Sequence, residues 1–119
     1  MRAKDGRGKY GERVAAQHLE AAGFEVLDRN WRCPQGELDI VARDGAALVF
    51  VEVKTRSSTK FGEPAEAVDR NKVRRLHVLA AAWLAAKRPP YYADMRFDVL
   101  SVLTPRSGPA QVTHLRGAL

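Results

Sequence analysis

The stretch from Glu37 to Arg56, ELDIVARDGAALVFVEVKTR, leaves few choices for what the chain can fold into. Two apolar runs flank Asp44-Gly45, a strong turn signal, so the stretch reads as two antiparallel strands. Side chains alternate along a strand, so Leu48, Phe50, Glu52 and Lys54 share one face of the second and Val49, Val51, Val53 and Thr55 share the other. On the first strand Leu38, Ile40 and Ala42 form the apolar set assigned to the buried layer. Glu37, Asp39 and Val41 then lie on the opposite face, and the carboxylates point the same way as Lys54.

Register decides how close these charges come. A two-residue loop at Asp44-Gly45 sets Glu37 opposite Glu52, whereas a four-residue loop, Asp44 to Ala47, sets Asp39 opposite Glu52 and Glu37 opposite Lys54. The second is preferred, and a one-residue slip would turn the apolar set outward. Opposed carboxylates at about 4 Å repel by roughly 4 kcal/mol in an effective dielectric of about 20. A positive group is therefore expected beside them.

A length of 119 residues suits a single domain, 1–119, with one core. Twenty Lys and Arg against fourteen Asp and Glu leave a net charge of +6, which suggests a polyanionic partner such as nucleic acid and on charge alone suits a generic basic surface equally. Cys33 is the sole cysteine, which excludes an intramolecular disulfide and a cysteine-based zinc site and fits an intracellular, cytoplasmic location. The start, MRAKDGRGKYGE, lacks the apolar core of a signal peptide, and no apolar run approaches membrane-spanning length.

Before the hairpin, residues 1–9 read as a flexible basic arm and a helix is expected from Gly8 to Ala22, stopped by Gly23 in a left-handed cap. Its apolar positions Ala15, Ala16, Leu19 and Ala22 mark an inward face, and Glu12 falls on that same face. A first-turn carboxylate suits the helix dipole; the sharper reading makes Glu12 a third carboxylate converging on Asp39 and Glu52. Phe24 to Asp28 reads as a short strand and Arg29 to Gly36 as a loop, with Trp31 and Cys33 as packing residues.

After the hairpin, Ser57 to Glu63 is polar. A long helix is expected from an Asp69 N-cap with Val68 and Val73 as a hydrophobic staple, burying Val73, Leu76, Ala80 and Leu84 with Trp83 beside them, and stopping at Pro89-Pro90. Its His77 reads as a helix-face residue, since the histidines show no metal-binding spacing. Met95 to Leu103 is a further strand and Gln111 to Leu115 a weak edge strand. The expected architecture is α/β, a single mixed sheet flanked by helices.

Asp39, then Glu52-Val53-Lys54, with Glu12 added, gathers three carboxylates around one lysine and leaves two negative charges for one divalent cation. Mg²⁺ prefers such oxygen ligands, with Mn²⁺ as a substitute. An ion of this kind polarises a phosphodiester, and Lys54 could orient a water or stabilise charge on the phosphate. No Gly-x-Ser-x-Gly elbow and no Walker-type phosphate loop is present. The plain alternative is a set of solvated cross-strand salt bridges.

The sequence resembles the YraN family of small bacterial proteins through Gly11-Glu12, Gly36-Glu37-Leu38-Asp39, Phe50-Val51-Glu52-Val53-Lys54-Thr55-Arg56, Gly62 with Pro64, Lys72, and Arg96-Phe97-Asp98-Val99. That family is similar to archaeal Holliday-junction resolvases and belongs with the restriction-endonuclease-like folds. The resemblance implies metal ligation by Asp39 and Glu52 with the Val53 carbonyl and a contribution from Glu12, and a catalytic role for Lys54 alongside Asp39 and Glu52. Glu37 would support the ligands, and Lys9, Arg56, Lys60, Lys72 and Arg75 are the cations assigned to phosphates. The leading expectation is a Mg²⁺-dependent DNA endonuclease, on branched DNA if the likeness to resolvases extends so far, and a homodimer by the same likeness. The alternatives are a nucleic-acid-binding accessory protein with a vestigial acidic site and an interaction module using a sheet edge.

Overall fold

In a computed structural model, which describes residues 6–57 and 70–119, the elements are α1 (Gly6–Ala21), β1 (Glu25–Cys33), β2 (Gly36–Asp44), β3 (Ala47–Arg56), α2 (Arg70–Lys87), β4 (Asp94–Leu103) and β5 (Gln111–Leu115). The five strands form one sheet in the order β1-β2-β3-β4-β5. Neighbours are antiparallel except β3 and β4, which run parallel because the connection between them is a crossover carrying α2. The mixed sheet with flanking helices is the expected α/β architecture and is consistent with a restriction-endonuclease-like fold. No described helix is long and apolar enough to cross a membrane.

Local signals account for the element ends. The Phe24 N–H bonds to the Leu19 carbonyl and the Gly23 N–H to the Glu20 carbonyl, with Gly23 at φ 94°, which is a Schellman closure of α1. At the end of α2 the Arg88 N–H bonds to the Leu84 carbonyl with Arg88 at φ 45°, and Pro89-Pro90 prevents continuation. The β2–β3 hairpin pairs Asp44 with Ala47 and Ile40 with Val51, the preferred register. Its central residues are Gly45 and Ala46, with Gly45 at φ 60° in the position where tight hairpin turns favour glycine.

Both faces of the sheet are buried. Under α1, Ala15, Ala16 and Leu19 pack on Ile40, Ala42, Val49, Val51, Leu100 and Val102. Beneath α2, Leu76, Leu79, Ala80 and Trp83 pack on Leu38, Val41, Leu48, Phe50 and Phe97. His77 stacks on Phe97 at a centroid distance of 4.1 Å, a packing role.

Several expectations need correction. Ile40, Ala42, Val49, Val51 and Val53 form the expected apolar set under α1, but the opposite face is buried as well: Leu48 and Phe50 form a second core, and Leu38 joins them rather than Ile40. Strict alternation fails at Asp39, where β2 leaves β3. The first strand runs on to Cys33, because β2 offers it partners as far as Gly36, so Arg29 to Cys33 is strand and not loop. Trp31 and Cys33 pack against the α2 core as expected. The α2 stripe centres on Leu79 and Trp83, leaving Val73 and Leu84 half-buried. α1 starts at Gly6, so Gly6 to Lys9 is helix rather than arm. Residues 1–5, Lys60, Gly62, Pro64, Val68 and the Asp69 cap lie outside the described residues.

Candidate active site

The ladder between β2 and β3 stops at Ile40 and Val51. Beyond it the Val53 N–H donates to Asp39 Oδ2 at 2.8 Å, a side chain taking the place of a strand partner. A backbone N–H leaves a strand in the plane of the sheet, so the Asp39 carboxylate lies in the gap between the strands and borders both faces. The Val53 carbonyl leaves on the same edge as its N–H, which directs it toward the Asp39 side.

On the α1 side, Glu12, Glu37 and Asp39 each place one oxygen so that the three lie within 4.8 Å of one another. Glu12 is buried, 4% exposed, on the inward helix face that its spacing indicates. Gly11 makes this approach possible: a Cβ there would collide with the Thr55 side chain, so the first turns of α1 sit directly on the end of β3. Glu37, expected only to support the ligands, supplies one of the three gathered oxygens. Its cationic partner is Arg32, paired with it across the β1–β2 hairpin, with Nη2 3.0 Å from Oε2. Lys54, expected opposite Glu37, belongs to the other side of the sheet. Recognising Arg29 to Cys33 as strand would have found Arg32.

On the α2 side, Glu52 follows Phe50 along β3 and adjoins Asp39. Burial, and then the neighbouring Asp39 charge, push the Glu52 carboxyl above its ordinary pKa, with Lys72 and Lys54 offsetting part of the effect. Lys72 Nζ stands 3.3 Å from Glu52 Oε2, and Arg75 Nη2 stands 3.9 Å from the same oxygen. Burial, followed by the adjacent Lys72, pulls the Lys54 ammonium below its ordinary pKa. The charges thus divide across the sheet rather than sharing one face, and Asp39 joins the two halves. Lys9 is exposed on α1, and Arg56 is half-buried at the end of β3.

The donor chemistry fits a hard divalent cation. Three carboxylate oxygens gather within 4.8 Å of one another, and no soft donor is among them.

A second polar cluster escaped the sequence reading. Asp98 is fully buried on β4, holding Arg96 through two hydrogen bonds of 2.9 and 3.1 Å, the His114 Nε2–H at 2.7 Å and the Gly117 N–H at 2.9 Å. Arg96 continues to Asp44 at 3.1 Å, tying β2, β4, β5 and the chain end together. A charged residue inside the apolar strand MRFDVLSVL was the available signal.

The profile of the uncharacterised protein family UPF0102 matches residues 11–102, a span that holds Glu12, the whole hairpin, Lys72 and Arg75. The chain belongs to this family. A UPF0102 protein of Beutenbergia cavernae is 62% identical over 117 residues, 98% of each chain. Another from Frankia casuarinae is 58% identical over 118 residues, 99% of each chain. One from Mycolicibacterium vanbaalenii is 49% identical over 110 residues, 92% of this chain and 90% of its own. The resemblance drawn from the hairpin motifs is borne out, and UPF0102 proteins match this chain over nearly its full length.

Proposed function

We propose that this UPF0102 protein is a Mg²⁺-dependent DNA endonuclease that hydrolyses phosphodiester bonds, with branched DNA as its preferred substrate class. The observation that carries the reading is the gathering of Glu12, Glu37 and Asp39 oxygens within 4.8 Å, bordered through Asp39 by Glu52 and Lys54. Glu12, Asp39, Glu52 and the Val53 carbonyl would hold the ion, with Glu37 joining them. Mg²⁺ bound there would supply Lewis acidity and neutralise charge on the phosphodiester.

The chain's own groups do the rest. A site built of carboxylates repels a polyanion, so cations must bring DNA in; Lys72 and Arg75 on α2 stand at Glu52, and Arg56 on β3 and Lys9 on α1 add positive charge on the elements that carry Glu52 and Glu12. Lys54, whose ammonium is disfavoured by burial and by Lys72, can take a proton from the attacking water or place its charge on the phosphate. In the overall reaction water adds its hydroxyl to phosphorus, one P–O ester bond breaks, and the departing oxygen gains a proton.

Cleavage assays on duplex, single-stranded and four-way-junction DNA with Mg²⁺ or Mn²⁺ test this reading. Wild-type protein is expected to cut at least about a hundredfold faster than Glu52→Gln or Lys54→Ala. The ion pairs that Arg32 and Lys72 make with Glu37 and Glu52 favour a second reading, a non-catalytic DNA-binding protein with a structural acidic centre. Binding of DNA without cutting above the Glu52→Gln level would establish that second reading instead.

A further inference from the structure

Of the two α2 cations that reach Glu52, Lys72 is held closer. Its Nζ is 3.3 Å from Glu52 Oε2, and both side chains are largely shielded, 12% and 14% exposed. Arg75 reaches the same oxygen only at 3.9 Å, from a side chain that is 58% exposed. Lys72 also stands beside Lys54, a like charge. It is therefore attracted by Glu52 and repelled by Lys54. Its flexible stem is rooted on α2, so the ammonium can move without disturbing the strand that carries Glu52.

A divalent cation and this ammonium cannot share Glu52 Oε2 without strong repulsion, since their charges would stand within a few ångströms in a shielded place. An ammonium released from the carboxylate finds its next partner in a phosphate oxygen, to which lysine binds as a compact point charge. We propose that Lys72 is the exchangeable counter-ion of Glu52: a divalent cation taking that carboxylate drives the ammonium onto the DNA phosphate, so metal and DNA binding are coupled through this one side chain. The inference rests on the metal-dependent reading of the site, and it deepens that reading by assigning the order in which the charges change partners.

Coupling of this kind is reciprocal: whatever tightening the metal gives to DNA, DNA gives to the metal. Removing the lysine has opposite effects on the two. Without its competitor the metal binds more tightly, and without the released ammonium the metal no longer helps DNA.

The test is a calorimetric titration of Mn²⁺ into wild type, Lys72→Met, Lys72→Gln and Arg75→Met in mildly alkaline solution, with melting curves to verify folding. Both Lys72 variants are expected to bind Mn²⁺ about tenfold more tightly than wild type, and Arg75→Met to change little. Fluorescence anisotropy with a four-way DNA junction is expected to show that Ca²⁺ strengthens binding by wild type and not by Lys72→Met. Mn²⁺ affinity that is unchanged or weaker in folded Lys72 variants overturns the exchange while leaving the metal site standing, as does a Ca²⁺ effect on DNA that survives Lys72→Met. No Mn²⁺ binding by any of the four proteins overturns both the exchange and the nuclease reading.

Discussion

Asp98 shows how a single charge can be placed in a core and kept there. Burial alone would raise its pKa, but Arg96, the Gly117 N–H and His114 more than offset this and hold the carboxyl below its ordinary value of 3.8. A carboxylate with a depressed folded-state pKa contributes stability that is fully present above the unfolded-state value and is lost as pH falls through the folded-state value. Asp98→Asn is expected to lower stability at neutral pH by about 3 kcal/mol, the low end for breaking a buried pair because Arg96 keeps Asp44 as a partner. Urea unfolding midpoints would show this. The gap between variant and wild type should close as pH drops below about 4, since protonation makes the two side chains alike. A gap that stays constant into acid would mean that packing, not charge, accounts for the loss.

At the scale of elements, the site depends on how α1 meets β3. Gly11 has no side chain to separate the helix from Thr55, so the helix settles close enough for Glu12 to reach Glu37 and Asp39. Gly11→Ala should cost about 1–3 kcal/mol, because the added methyl forces helix and strand apart despite alanine's better helix propensity. It should also weaken Mn²⁺ binding on the proposed reading, by shifting Glu12. Thr55→Ala in the Gly11→Ala background removes the Oγ1 and Cγ2 atoms, the nearest obstruction included, and should restore much of both, giving a favourable coupling in a double-mutant cycle. Additive losses would show that the two residues do not meet in the way described. On the other face, α2 is tied to the first strand by the Trp83 Nε1–H bond to Asp28 Oδ2 at 2.9 Å, which fixes the helix bearing Lys72 and Arg75.

For the molecule as a whole, a net charge of +6 coexists with a centre of gathered carboxylates. Positive charge on the surrounding helices brings a polyanion to an acidic point that would otherwise repel it. If Lys9, Arg56, Lys72 and Arg75 each meet a phosphate, the logarithm of duplex affinity should fall against the logarithm of salt with a slope of about −4. Arg75→Ala should reduce that slope by about one. A slope near zero in wild type would remove DNA as the partner.

The sequence by itself determined much of this protein. Alternation and the Asp44-Gly45 turn signal located the hairpin, the α1 spacing turned Glu12 inward, Gly23 ended the helix, and the hairpin motifs identified the family. These are short-range properties, set by repeat distances of 2 and 3.6 residues and by backbone freedom. Only the tertiary structure decided which face each charge occupies. Alternation assumes that a strand stays paired along its length, and β2 departs from β3 at Asp39. The departure turns Asp39 into the gap, carries Leu38 to the α2 core and leaves Glu37 to Arg32. Asp98 was equally hidden, because its partners lie on β5 and beyond, and a buried charge is readable only once the groups that compensate it are in place.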